Sequence, residues 1–561
     1  MNGFDETGTH MATAQHPSAG LMMSTPLTTQ ELLKRMRSAW PDSTISTVAD
    51  ETARFSHTVT FAEVAVRAER LAAALSALGV RTGDRVGSLL WNSAAHVELY
   101  YAATGLGAVL HTINPRLFAD QIEYTIDHAE DRVLVVDATL VGTLTPLLDR
   151  LPRVEHVVVV GTPAPEVIGR VTVHAYPDLL EQAPAGFRWP ELQEDLGACL
   201  CYTSGTTGNP KGVLYTHRSI VLHALIMAGT NGFRLGRHDR ALALVPMFHA
   251  LGWGLPFIVA LTGTDLVLPG RHLGPATIAT VIEREQVTWA GGVPTLWLDL
   301  LRYADAQRDA RPVDLSSLRL VLSGGTKVPQ PLMAAFEERY GVTVGQGWGM
   351  TETLPGATLS LADPDASGEA KRARRELAGQ ASPFYEFRVV DADGAPLPHD
   401  GKSVGEIEVR GPVVAAAYYG AGHTAEKFHD GWLRTGDLGA VTHDGWLDIT
   451  DRAKDAIKSG GEWISSQDLE AALMRHPAVL EAAVVSVPHE RWSERPAAVV
   501  ATAGDDPSAD ELRDHLRAHV AGWWIPDEFH FVAELPRNST GKFDKRTIRD
   551  QLRAAREERF S

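Results

Sequence analysis

Apolar residues recur at helical spacing over Gln30–Trp40 and Phe61–Leu78, and Gly79 stands where the second helix would stop. Short apolar runs at Arg85–Leu90, Ala108–Ile113, Val133–Val136 and His156–Val160 predict strands, with a helical stretch at Ala94–Thr104 between the first two. Alternating strand and helix is the pattern of doubly wound α/β subdomains. It continues through strands at Gly197–Cys201 and Leu318–Leu322 and a helix at Pro331–Tyr340. Past about Gln380 the texture changes to strands between Gly/Asp turns, at Phe387–Asp391, Gly405–Arg410 and Trp446–Thr450, which predicts a β subdomain. After Asp451 the chain reads as a small α+β unit. Its elements are a helix at Asp468–Met474, strands at Val479–Val487 and Ala497–Ala501, a helix at Ala509–His519 and a basic tail. The expected organisation is a flexible leader (1–26), a large N-terminal domain (27–451) and a small C-terminal domain (452–561).

The length supports this division, because single cores stop growing beyond roughly 250–300 residues and the chain has 561. A net charge of −18 speaks against nucleic-acid binding, which rests on Lys and Arg neutralising phosphate. The two cysteines, Cys199 and Cys201, share one face of a strand. They form no disulfide framework, are too few for a structural zinc site, and read as small buried hydrophobes. No apolar run reaches the roughly 18 residues of a membrane span. The polar leader lacks the charged start and apolar stretch of a secretory signal, so a cytoplasmic protein is expected.

One stretch carries obvious chemistry. The strand Gly197–Cys201 runs into Tyr202-Thr203-Ser204-Gly205-Thr206-Thr207-Gly208-Asn209-Pro210-Lys211-Gly212. Glycines let backbone N–H groups approach an anion closely, the hydroxyls add donors, and Lys211 adds a point charge suited to phosphate. The glycine spacing differs from the common P-loop, G-x-x-x-x-G-K-[ST].

This run resembles the phosphate loop of the AMP-forming superfamily of acyl-CoA synthetases, luciferases and peptide-synthetase adenylation domains. Further segments resemble that superfamily's motifs, in its order. They are Pro246-Met247-Phe248-His249, Gln346-Gly347-Trp348-Gly349-Met350-Thr351-Glu352-Thr353, Thr435-Gly436-Asp437, the hinge Asp451-Arg452-Ala453-Lys454-Asp455, Lys458-Ser459-Gly460-Gly461-Glu462-Trp463-Ile464, and Pro536-Arg537-Asn538-Ser539-Thr540-Gly541-Lys542. The resemblance covers nearly everything from Leu27 to Leu552.

The resemblance implies ATP and Mg²⁺ as cofactors and CoA as co-substrate. Its nucleotide contacts fall on Thr203, Ser204, Gly205, Thr206, Thr207, Gly208, Lys211, Gly325, Gln346, Gly347, Trp348, Thr351, Asp437, Arg452, Lys454, Lys458 and Trp463. Glu352 and Thr203 would hold the metal, since Mg²⁺ prefers few carboxylates plus phosphate oxygens and waters. Trp348 would face adenine, and Asp437 would accept from the ribose hydroxyls. Lys542 would be the cation that stabilises charge building on the α-phosphate. His249 would sit at the acid group. After adenylation, rotation about Asp451 would remove Lys542 and present Lys458–Trp463. Related fatty-acyl enzymes can form a homodimer through the N-terminal domain, though no interface stripe stands out in this sequence.

Within the superfamily the chain is most similar to bacterial medium- and long-chain fatty-acyl-CoA synthetases, through Met247–Pro256, Gly292–Thr295 and Lys458–Ser466. Trp253 matches the tryptophan that gates their acyl tunnel. One departure stands out. Ser323-Gly324-Gly325-Thr326-Lys327 puts a long cation after the Ser-Gly-Gly strand end, where small residues are usual. Lys327 is accordingly a candidate for the substrate pocket, with His249 and Trp253. It keeps a second reading open beside CoA ligation of a fatty or aryl acid. That alternative is a diazotase of antibiotic and other natural-product biosynthesis, which adenylates nitrite and passes the nitroso group to an aryl amine.

Overall fold

The computed structural model describes residues 22–162, 170–203, 209–361, 374–421, 424–459, 462–502, 504, 506–537 and 543–560. Three sheets organise them. The first has seven strands, in the order Thr172–Ala175, His156–Val160, Val133–Asp137, Arg85–Leu89, Val109–Thr112, Gly197–Tyr202 and Gly212–Thr216. Its strands are parallel except for the last, which returns antiparallel beside Gly197–Tyr202. The near-continuous apolar sequences of these strands follow from burial on both faces, as at Val133–Val136, which is buried throughout.

The second sheet has 14 strands. Its parallel centre runs Thr44–Val48, Asp265–Leu268, Arg240–Ala243, Trp289–Gly292, Leu320–Gly324 and Thr343–Trp348. The antiparallel strands expected at Phe387–Asp391, Gly405–Arg410 and Trp446–Thr450 are found at Glu386–Val390, Gly405–Arg410 and Trp446–Arg452, and with Gly379–Ala381 and Trp432–Val441, which the sequence reading missed, they extend this same sheet. The helix Ala94–Gly105 contacts strands of both large sheets and is buried nearly all round. That is why its sequence shows no polar face. Ser93 caps it by accepting from the His96 N–H. The helix Phe61–Ala77 starts with a capping box between Thr60 and Glu63, a device contributing about 1 kcal/mol.

Trp446–Arg452 is the last strand of the large sheet, and the third sheet begins at Ile457–Ser459. The third sheet pairs Val479–His489 with Ser493–Thr502 and adds Glu528–Val532 in parallel. The expected basic tail is instead a helix, Lys545–Phe560. Ile548 and Leu552 lie four apart and bury themselves on the third sheet's core with Val485 and Val487. An apolar pair at helical spacing thus outweighed the basic composition. No described helix is long and apolar enough to cross a membrane.

Candidate active site

The crevice lies outside the carboxyl ends of the parallel strands, where open α/β sheets bind ligands. Thr203 follows Gly197–Tyr202, His249 lies beyond Arg240–Ala243, and Gly325 follows Leu320–Gly324. Thr351 and Glu352 follow Thr343–Trp348. All of these residues line one cavity of about 690 Å³, together with Lys211, Trp253, Gly347, Trp348, Asp437, Arg452 and Lys454.

The two antiparallel strands bring Thr203 opposite Lys211. The Thr203 N–H donates to the Lys211 carbonyl at 2.9 Å, and the Lys211 N–H donates to Thr203 Oγ1 at 3.2 Å. Ser204, Gly205, Thr206, Thr207 and Gly208 lie outside the described residues. Lys211 Nζ stands 4.9 Å from the centre of the Tyr418 ring, a cation–π contact. The Tyr418 hydroxyl donates to Glu352 Oε1 at 2.6 Å. Burial and the neighbouring Glu352 push that hydroxyl's pKa up, so it stays a donor. Glu352 itself is buried.

The indole N–H of Trp348 donates to Asp437 Oδ2 at 2.8 Å, which fixes the ring against the aspartate. Arg452 Nε lies 3.4 Å from Asp437 Oδ1. Lys427, which no motif signalled, lines the same cavity and donates to the Thr435 carbonyl at 3.1 Å. Burial lowers its pKa, against the pull of Glu352 and Asp437. Arg116 also lines the cavity, beside the Phe248 ring.

Phe233, Leu244, Leu296 and Leu322 form an apolar portion of the cavity, and Trp253 packs into it. A Cβ on Gly324 would lie 3.2 Å from Trp253 Cζ2, and one on Gly291 would lie 3.4 Å from Cζ3. The five residues Ala250–Gly254 all have left-handed φ, between 37° and 74°. For residues other than glycine that conformation costs roughly 1–2 kcal/mol each. Ala250, Leu251 and Trp253 accept it here. Gly254 is required twice over, because a Cβ there would lie 2.7 Å from the His223 ring.

Three expectations change. Gln346 does not reach the cavity. Its amide donates to the Arg375 and Leu377 carbonyls and accepts from the Val328 N–H, so it ties loops to the sheet. Lys327 is not in the acid pocket. Its Nζ bonds Asp468 at 2.9 Å in a separate cleft between the second and third sheets. Gly325 explains this, because its φ of 95° turns the chain away. Lys458 is exposed on the hairpin Ile457–Ile464, away from the cavity. The Trp463 backbone pairs with Lys458; its side chain, like the whole of Lys542, lies outside the described residues. Asp451 is buried where the sheets meet, accepting from the Ser466 N–H at 2.6 Å. Cys199 and Cys201 are buried, which pushes both thiols up.

Residues 38–419 match the family described as "AMP-binding enzyme", and residues 468–542 match "AMP-binding enzyme C-terminal domain". The chain belongs to the AMP-binding enzyme family. It is 44% identical over 504 residues to a long-chain-fatty-acid–CoA ligase of Thermus thermophilus, covering 89% of this chain and 91% of that protein. It is 40% identical over 543 residues to a 3-methylmercaptopropionyl-CoA ligase of Ruegeria lacuscaerulensis, covering 96% and 99%. Among solved structures it is similar to the anthranilate CoA ligase AuaEII in complex with anthranoyl-AMP. That match has a TM-score of 0.85 and 28% identity, covering 95% of this chain and 99% of that one. These relatives place this AMP-binding enzyme in the AMP-forming acyl-CoA synthetase superfamily.

Proposed function

We propose that this AMP-binding enzyme is an acid–thiol ligase that converts a carboxylic acid, ATP and CoA into acyl-CoA, AMP and pyrophosphate. The observation that carries the reading is the single cavity, in which Lys211, Glu352 and the Trp348–Asp437 pair share space with an apolar portion that includes Trp253. A carboxylate oxygen attacks the α-phosphorus, and the bond to pyrophosphate breaks. The CoA thiolate then attacks the acyl carbonyl, and AMP leaves.

In this reading Lys211 and the hydroxyl-rich loop hold phosphates, Asp437 accepts from the ribose, and Trp348 packs on the base. Glu352 Oε1 is taken by Tyr418. Its second oxygen and the Thr203 hydroxyl suit a hard cation bound mainly by phosphate oxygens. They would hold Mg²⁺, which neutralises phosphate charge when bound. Residues 27–451 form the nucleotide- and acid-binding part. Residues 452–561 form a lid that swings about Asp451 between the two half-reactions. The diazotase alternative leaned on a lysine beside the acid. With Lys327 paired to Asp468 in another cleft, that support is gone.

The test is ATP-dependent AMP release with short to long fatty acids and aryl acids, the products identified by mass. Acyl-CoA formation supports the reading; AMP release only with nitrite and an aryl amine overturns it. Asp437→Ala removes the ribose acceptor and the anchor of the Trp348 ring. Hydrogen bonds to charged groups contribute about 1.5–3 kcal/mol, so ATP titration should show binding weakened roughly tenfold or more. Trp253→Ala should shift the preferred acid to longer chains in the same panel. Each CH₂ newly buried adds about 0.8 kcal/mol, or roughly fourfold in kcat/KM.

A further inference from the structure

The cleft between the second and third sheets is built on charge. Lys327 leaves the Gly325–Pro329 loop of the large sheet, and its ammonium bonds Asp468 Oδ1 at 2.9 Å. Asp468 stands in the first turn of the helix Ser466–Leu473, on the other side of the hinge. Asp448 and Glu376, both from the Lys327 side, also face the ammonium. Burial opposes the charge on Lys327, but these three carboxylates outweigh it and hold the group above the ordinary lysine range. The helix start that carries Asp468 is tied to the hinge strand as well. Ser465 Oγ donates to the Thr450 carbonyl at 2.6 Å, and the Ser466 N–H donates to Asp451 Oδ2 at 2.6 Å.

This arrangement belongs to one orientation of the two parts. Phe543, the residue after Lys542, lines the cleft beside Gly325 and Lys327, and Gly325 also lines the nucleotide cavity. Lys458 and Ser459 line neither. The orientation that pairs Lys327 with Asp468 is thus the one that sets Phe543 in a cleft sharing Gly325 with the nucleotide cavity. A swing that carried Lys458 there would part Asp468 from Lys327.

We propose that Lys327 and Asp468 are a positioning pair for the first half-reaction, holding the lid in the adenylating orientation and releasing it for thioester formation. This rests on the ligase reading above. The pair touches no reacting atom, so its effect is confined to the step that needs this orientation.

The experiment measures the two half-reactions separately in the full chain. Acyl-AMP formation is followed in a single turnover with ATP and acid, and thioester formation is started from supplied acyl-AMP and CoA. Lys327→Met and Asp468→Asn should each slow adenylation about two- to fivefold, the range set by a partly exposed charge pair. Thioester formation should keep the parent rate. The double variant should be no slower than either single variant, because the two side chains act as one unit, and Lys327→Arg should recover most of the rate. Equal slowing of both half-reactions would mean a merely structural contact and would overturn the proposal, as would additive losses or an unaltered Lys327→Met enzyme. Parent chain that makes no acyl-AMP from any acid would instead overturn the ligase reading.

Discussion

Lys542→Ala is expected to lower acyl-AMP formation by about 10²- to 10³-fold, the loss seen when one preorganised donor to a developing charge is removed. In-line attack of a carboxylate on the α-phosphate brings two anions together, and a fixed cation between them acts mainly in the transition state. ATP binding, assigned in the proposed reading to Lys211, Asp437 and the hydroxyl-rich loop, should change little. The described residues that follow Lys542 in the chain are themselves anchored. Lys545 is half-buried, lies 2.7 Å from Glu470 Oε1 and donates to Ser466 Oγ at 2.6 Å. The start of the helix Lys545–Phe560 is therefore moored beside the hinge. The check is pyrophosphate release in a single turnover, alongside equilibrium ATP binding. An adenylation rate within a few-fold of the parent would remove Lys542 from the role given to it.

Glu352→Gln is the second large effect. The substitution keeps the shape and still offers an oxygen to the Tyr418 hydroxyl, so the local fold should survive. It removes the formal charge that would hold magnesium on the phosphates. Adenylation should fall about 10- to 100-fold at ordinary magnesium, and the half-saturating magnesium concentration should rise. Hard divalent cations bind through a small number of charged oxygens, so losing one of them is felt directly. A magnesium titration superimposable on the parent's would show that Glu352 serves only Tyr418 and the backbone around Ala415, whose N–H donates to the Glu352 carbonyl at 2.7 Å.

Much of this was legible in the sequence because the chemistry is local. Thr203 and Lys211 flank one loop, and Thr351 and Glu352 follow one strand. The fold brings those segments into a single cavity with His249 and Asp437, each of which stood in its own motif. Tyr418 and Lys427 escaped notice because no local pattern marks them. Three-dimensional packing brings them into the cavity, Tyr418 against Glu352 and Lys211 and Lys427 against the Thr435 carbonyl. Gln346 was misplaced because a motif assigns a neighbourhood, while its amide is engaged by the backbone of two loops. Lys327 was misplaced by one glycine, since the positive φ at Gly325 decides which cleft the next residues enter. The helix Lys545–Phe560 was hidden by its basic composition, with only Ile548 and Leu552 betraying a buried face.

The left-handed turn at Ala250–Gly254 bears on how such a pocket is remodelled. A side chain replaced singly there is judged first by a backbone that most residues disfavour, and only then by its fit to the acid. The turn behaves as a cassette, entered from the extended His249 and left at Leu255, where the following helix begins. Exchanging it whole, together with His223 against which Gly254 packs, alters the pocket's reach while leaving both flanking elements in their own conformations.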